Sequence, residues 1–519
     1  MTLSANLAEM ERAREAYWLR FPSTSPFRLR WRAQTVRHWL HVIPGERILE
    51  VGAGSGLWTQ HLSEALRGEN PITAAAFNEN LATSGSARMI PNARFVQVRE
   101  LTELPEKSFD YVVGTAILCH DLYEQNLSAL YRLLKPGGQL LFFEANYWNP
   151  QVFLKNHVPG LGRLARDARC HIGMRRYRLM RLASQQGFAR VEITPYDIVH
   201  SLTPRWMIPT MQSLAFILEH APVIREFCGT LYISAQRPGP DDAQKEFVNL
   251  ATHLKLFDSI SVVVPCHNEE MNILPLARSL LGYYGPYIHE IIFVNDNSTD
   301  STSRVAHDLA QTEPRVKVLD RTMPNGVGRA LRDGYAAATG RYILTMDGDF
   351  VQIVPEFRDM FDVIDSGHNG AIGSRFSHES LLVNYPFSKI VCNRGFHTLL
   401  NLFLPCHVRD ISNNLKLYQA EILKDLKIEQ HHFAANVETG LKPILAGYDV
   451  KEVPISWINR SSDMGTSSFQ LLRLAPAYCF GLARMVWDSW RDRLFRAKDA
   501  KAKPAGEPPG KSKCDTSAT

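Results

Sequence analysis

Tyr342-Ile343-Leu344-Thr345-Met346-Asp347-Gly348-Asp349 is an apolar run that ends on two carboxylates at positions i and i+2. A short apolar run bounded by Gly and Asp reads as a buried strand. Acids just past its end face whatever binds at that edge of the sheet. Two carboxylates so spaced hold a hard divalent cation economically, because Mg²⁺ takes oxygen ligands and shares them with substrate phosphates. An isolated Asp-x-Asp is more often an ordinary acidic turn. Here two similar units stand upstream: Val262-Val263-Val264-Pro265-Cys266-His267-Asn268-Glu269-Glu270 and Val294-Asn295-Asp296-Asn297-Ser298-Thr299-Asp300. Strands alternating with helical stretches predict a parallel sheet and an α/β fold.

These three units, in that order, resemble family 2 glycosyltransferases with the GT-A fold, over roughly the second half of the chain. The resemblance assigns Pro265, Asn268, Glu269, Asp296 and Asp347 to a nucleotide sugar, and Asp347 and Asp349 to Mg²⁺ or Mn²⁺. The metal would neutralise the departing diphosphate. Asn325-Gly326-Val327-Gly328-Arg329-Ala330 resembles the family's Gly-x-Gly-x-Ala helix start. Downstream, Asp349-Phe350-Val351-Gln352-Ile353-Val354-Pro355 and Gly373-Ser374-Arg375 are similar to segments of polyprenyl-phosphate and dolichol-phosphate mannose synthases. Asp410-Ile411-Ser412-Asn413-Asn414-Leu415-Lys416-Leu417-Tyr418 resembles their Asp-x-x-Ser-Gly-Phe-Arg-x-Tyr, departing at Asn413, Asn414 and Leu415. Val437-Glu438, Val453-Pro454-Ile455 and Arg460 follow in register, while Gly465-Thr466-Ser467-Ser468 lacks the family's lysine.

The resemblance implies inverting transfer of a hexose from a nucleotide sugar to polyprenyl phosphate. Arg375 and Arg460 then suit phosphate oxygens, which a guanidinium fork matches. A phosphate acceptor is ionised at neutral pH and needs no base. A hydroxyl acceptor on a glycan or small lipid needs one, and Glu438 is then the candidate.

The first half opens with Ile48-Leu49-Glu50-Val51-Gly52-Ala53-Gly54-Ser55-Gly56, a strand running into a glycine-rich turn. Glycines allow a sharp turn and a close approach to ligand. A dinucleotide site uses Gly-x-Gly-x-x-Gly, whereas the spacing here, with Glu50 ahead of it, resembles motif I of class I S-adenosylmethionine-dependent methyltransferases. The resemblance covers about residues 40–150. It assigns Glu50, Gly52, Gly54, Gly56 and Glu100 to S-adenosylmethionine. The family ends its second strand on an acid that holds the ribose; that slot falls near Ala76 here, with Glu79 the neighbouring candidate. His120 is a candidate base for methyl transfer, or a structural histidine at a strand end. The first domain is accordingly either a methyltransferase or a scaffold that docks its partner.

The 519 residues predict two Rossmann-like domains, methyltransferase-like then GT-A. Their expected limits are a helical lead-in at 1–45, a first domain at 46–236, a linker at 237–257 and a second domain at 258–468. An amphipathic helix at 469–497 and a disordered tail at 498–519 complete the chain. A net charge of +5 and the absence of zinc-finger spacing give no indication of nucleic acid. Eight cysteines without Cys-x-x-Cys read as reduced thiols of a cytoplasmic protein. Met1–Arg20 has no apolar signal core. Residues 387–404 and 471–487 are apolar but interrupted by Lys389, Arg394, His397, Arg473 and Arg484. Trp487, Trp490 and the arginines after them suit a helix lying in the membrane surface, which predicts a peripheral membrane location.

Overall fold

The computed structural model describes residues 3–118, 123–158, 175–239, 252–349, 356–383, 385–404, 406–458 and Trp487. His120, Arg460, residues 350–355 and 465–468, most of the 469–497 helix and the 498–519 tail lie outside these residues, as does part of the linker.

The chain begins with helices α1 (Leu3–Arg20) and α2 (Ser25–Trp39). A first sheet follows from β1 (Ile48–Val51), β2 (Ile72–Ala76), β3 (Ala93–Gln97), β4 (Phe109–Thr115), β5 (Leu134–Ala145), β6 (Ala189–Tyr196) and β7 (Thr230–Gln236). Its strand order is β3-β2-β1-β4-β5-β7-β6, with β7 antiparallel to both neighbours. Strands β1 and β4 read as near-continuous apolar runs because helices cover both faces of a parallel sheet, and Leu49, Val112 and Val113 are buried.

A second sheet is built from β8 (Ile260–Cys266), β9 (Ile288–Asp296), β10 (Val316–Arg321), β11 (Tyr342–Thr345) and β12 (Gly370–Ser374). A short strand β13 (Leu381–Val383) precedes β14 (Lys416–Gln419), β15 (Val450–Pro454) and β16 (Ser456–Ile458). The order is β10-β9-β8-β11-β14-β12-β15, and β14 runs antiparallel between β11 and β12. Strands β13 and β16 pair separately as a two-stranded ribbon. The two sheets are the two α/β domains that the sequence predicts.

Each sheet changes its direction of growth at its first strand. β1 lies between β2 and β4, and β8 between β9 and β11. Ligands of open α/β sheets bind outside the carboxyl ends of strands at such switch points. Glu50 to Gly56 leave β1 there; Pro265 to Glu269 leave β8 and Asp347 to Asp349 leave β11 at the other.

The halves are packed on each other. Arg37 on α2 forks onto Asp359 with Nη1–Oδ2 2.8 Å and Nη2–Oδ1 2.9 Å. Arg67 also pairs with Asp359 and Asp362, and Arg358 with Glu69. Burial pushes the Asp359 carboxyl up, but Arg37 and Arg67 outweigh it and hold it below the usual range. His38 Nδ1 lies 3.1 Å from Glu356 Oε1, which also accepts the Ser456 N–H at 3.0 Å. Leu381 and Val383 of the ribbon sit in one apolar cluster with Trp18, Leu29, Trp39 and Tyr196 of the first half. Phe216 meets Phe376 edge to face, with centroids 5.8 Å apart.

Candidate active sites

At the second switch point, Asp347 is partly exposed, and its Oδ1 accepts a 2.8 Å hydrogen bond from Asn414 Nδ2 on the loop before β14. Burial pushes the Asp347 carboxyl up, while Asn414 and the positive charges of Arg375 and Lys416 pull it down. Gly348 passes close to the β8 loop: a Cβ there would lie 3.4 Å from Cys266 Sγ and 3.4 Å from Glu269 Cγ. The Asp-x-Asp turn therefore stacks on the 265–269 segment. Two carboxylates at one strand end form an all-oxygen pair that fits a hard dication, with phosphates and water completing the shell. Among the described residues no group of three or more His, Cys, Asp or Glu converges on a metal position.

The residues expected to meet a nucleotide sugar brace one another. Asn268 has a left-handed φ of 59°, and its Oδ1 accepts the Thr299 N–H at 2.8 Å. The Glu269 N–H donates to Thr302 Oγ1 at 2.7 Å. Pro265 lies in β8 beside Val294. Asp296 ends β9, pairs with Arg321, and accepts the Gly326 N–H at 2.6 Å. It thereby anchors the Gly326-Val327-Gly328 turn. A Cβ on Gly326 would lie 2.2 Å from His431 O, and one on Gly328 2.3 Å from Gln430 O. The glycines are there so that the 428–432 loop can lie on the start of helix Val327–Ala337.

Glu438 holds that same loop. Its Oε2 accepts the Glu429 and Gln430 N–H groups at 2.9 and 2.8 Å, and its Oε1 lies 2.7 Å from Lys442 Nζ. The geometry makes it a brace for the loop. Arg375 directly follows β12 and forks onto Asp410, with Nε–Oδ2 2.7 Å and Nη2–Oδ1 3.0 Å. Burial pushes Asp410 up, but the Arg375 fork outweighs it and holds the carboxyl far below the usual range. Arg375 also donates to Tyr385 OH and Ser412 Oγ and lies over the Trp457 ring. Lys416 stands where the resemblance expects an arginine. Its Nζ donates to Asn436 O at 2.8 Å, and burial pushes it down to about 7.

Residues 261–427 match the family described as glycosyl transferase family 2, and residues 48–138 match a methyltransferase domain. The chain joins a methyltransferase domain to a family 2 glycosyltransferase domain. Polyprenol monophosphomannose synthase of Mycolicibacterium smegmatis is 29% identical over 226 residues, 41% of this chain and 83% of that protein. A dolichol-phosphate mannosyltransferase of Pyrococcus furiosus is 27% identical over 244 residues, 46% of this chain and 66% of that protein. Among solved structures, glucosyl-3-phosphoglycerate synthase from Mycobacterium tuberculosis aligns at 18% identity and a TM-score of 0.35, covering 46% of this chain and 86% of its own. A SAM-dependent methyltransferase from Thermotoga maritima aligns at 18% identity and a TM-score of 0.30, covering 44% and 97%.

In the methyltransferase domain, Gly52, Gly54 and Gly56 have φ of 74°, 57° and 79°, a left-handed run that side chains resist. Glu50 is buried with Oε2 unpartnered, and burial pushes its carboxyl up to about 7. Glu100 is exposed and lines an open pocket of about 480 Å³ with Leu7, Leu101, Asn126 and Ala129. Glu79 opens a helix and is exposed. The carboxylate at the end of β2 comes from elsewhere: Glu11 of α1 accepts the Phe77 and Asn78 N–H groups at 3.0 and 2.8 Å. Glu11 also takes the Gly54 N–H at 3.0 Å. The crevice as arranged does not fit S-adenosylmethionine, because side chains of α1 hold the backbone groups that a ligand would meet. Sequence reasoning missed this, since Glu11, Arg14 and Glu15 register there only as charges within a helical lead-in.

Proposed function

We propose that the glycosyltransferase domain moves a hexose, with inversion, from a nucleotide sugar to a polyprenyl phosphate at the membrane surface. The observation that carries it is the helix Phe387–Phe403, which buries Ile390, His397 and Leu400 and still leaves a second set of apolar side chains exposed. Its outward face bears Val391, Leu399, Leu402 and Phe403, with Leu402 73% exposed, while Asn393, Arg394 and His397 face inward. Asn393 Nδ2 reaches Ser412 Oγ at 3.1 Å, beside the Arg375 fork. A helix is about 10 Å across. A lipid phosphate could therefore put its head near Arg375 and its chain along the outer stripe. Exposed apolar stripes mark contact surfaces, and an interfacial helix lays such a stripe into the membrane boundary. Among the described residues no helix is long and apolar enough to cross a membrane.

A phosphate acceptor also agrees with the engagement of Glu438, whose carboxylate is committed to two amides and Lys442. Asp347 and Asp349 would hold Mg²⁺ or Mn²⁺, which when bound stabilises the charge that gathers on the leaving diphosphate. The chain's own residues position the reactants. Asn268, Glu269 and Asp296 set the nucleotide side, and Arg375 sets the acceptor side. The match to the mycobacterial mannose synthase, spanning most of that protein, supports this substrate class.

The test is sugar transfer by purified protein with Mg²⁺ or Mn²⁺, polyprenyl phosphate in detergent and a panel of nucleotide sugars. Lipid-linked sugar that disappears in Asp349→Ala, with fold retained, supports the reading and names the donor. Metal-dependent nucleotide release without lipid product moves the acceptor to a hydroxyl. No turnover with any donor sinks it.

The methyltransferase domain is proposed to belong to the same pathway, as a methyl-transfer enzyme or as a scaffold. The packing of Phe216 on Phe376, next to Arg375, favours at least the scaffold role.

A further inference from the structure

The buried face of α1 carries three charged residues, Glu11, Arg14 and Glu15, beside Leu7, Met10 and Trp18. Leu7, Glu11, Arg14 and Glu15 recur at helical spacing and are all buried. Each takes a group that the β1/β2/β4 crevice offers at its strand ends. Leu7 packs with Phe77, Val98, Leu101 and Leu118. Glu11 takes the N–H groups of Gly54, Phe77 and Asn78. Arg14 donates to Gly52 O, and to Thr115 O at 3.0 Å. Glu15 accepts from Ser55 Oγ, and a Cβ on Gly54 would lie 2.8 Å from its Oε2.

In order along the crevice these are an apolar contact, a carboxylate on backbone amides, and a charged pair over the glycine turn. A nucleoside carrying an amino acid offers the same sequence of chemistry: a flat apolar base, hydroxyls, and a zwitterion. One ligand group and one α1 group cannot share an amide, because an N–H makes one good hydrogen bond.

We propose that α1 is an internal occupant of the methyl-donor cleft and competes with S-adenosylmethionine for it. The inference rests on the reading of that cleft as a methyl-donor site. Ligand affinity then falls by the fraction of molecules in which α1 is withdrawn, and by linkage the ligand expels α1 to the same degree.

The experiment is calorimetric titration of the full chain with S-adenosylhomocysteine, for wild type and for a Glu11→Ala/Arg14→Ala double variant. Hydrogen–deuterium exchange over residues 7–18 is followed in parallel. Competition predicts at least ~10-fold tighter binding by the variant, and faster exchange of α1 in wild type as ligand saturates it. Equal affinities, with α1 exchange unchanged or slowed by ligand, overturn the competition and leave α1 as a cap over a working cofactor site. No binding by either folded protein overturns it differently, by removing the cleft from the list of cofactor sites. If the double variant does not fold, the exchange measurement on wild type and on the isosteric Glu11→Gln decides between the first two outcomes.

Discussion

Replacing Glu438 separates two chemistries that a sequence motif alone confounds. Its Oε2 receives both loop amides and its Oε1 faces Lys442. Glutamine can keep its carbonyl on the amides and lose only the ion pair with Lys442, a change of about 1 kcal/mol or less for a partly exposed lysine. Alanine removes the acceptor for both amides. Hydrogen bonds to a charged group are worth roughly 1.5–3 kcal/mol each. Because Glu429 and Gln430 are only half-buried, water recovers part of that. The net cost of Glu438→Ala is then about 2–4 kcal/mol. The freed loop is the one that seats Gly328, whose N–H donates to His431 O at 2.9 Å. Gly326 in turn is anchored by Asp296. The alanine variant should therefore show a lowered melting temperature and a raised KM for the nucleotide sugar. The glutamine variant should keep kcat within about threefold of wild type. Steady-state transfer assays and thermal melts on both variants measure this. A glutamine variant that melts like wild type yet loses kcat by the ~10²–10⁴ expected of a missing general base would refute the bracing role.

Two further outcomes follow from the structure. His397 is buried, with Nδ1–H donating to Asn393 O and Nε2 accepting the Ile411 N–H at 3.1 Å, so only the neutral ring fits. Burial pushes its pKa from 6.5 to about 4. A folded value below the unfolded one gives stability that is present above pH 6.5 and drains away as pH falls to about 4; it amounts to about 3 kcal/mol. His397→Gln, which still accepts from Ile411, should flatten the fall of melting temperature across that window; parallel slopes would contradict it. Leu402→Asp should leave transfer to a short-chain, water-soluble acceptor phosphate intact and cut transfer to polyprenyl phosphate in vesicles several-fold. Equal loss on both acceptors would remove the lipid role of the outer stripe.

The strands were readable because their chemistry is local. The apolar run from Ile48 to Val51 is β1, and the run before Asp347 is β11. Parallel strands buried on both faces leave continuous apolar signatures that need no tertiary knowledge. The insertion of β14 between β11 and β12 was not readable, since strand order is decided by long-range pairing. The role of α1 was hidden for a different reason. A helix that buries Glu11, Arg14 and Glu15 breaks the rule that charged faces meet solvent, and its partners lie 38 to 101 residues away. At the glycosyltransferase site, the motif residues were nameable but their partners were not. Asp296 reads as a ligand group in sequence, and the structure adds its hold on Arg321 and Gly326.

The ribbon of β13 and β16 belongs to the glycosyltransferase domain by sequence, yet Leu381 and Val383 complete an apolar cluster whose other members are mostly from the methyltransferase domain. The two domains are thus more than tenants of one chain. Neither half could be traded for a foreign counterpart without leaving Trp39 or Leu381 facing water. Such a pair is constrained as one piece, because the surface of each fold must keep fitting the other whatever chemistry its own cleft performs.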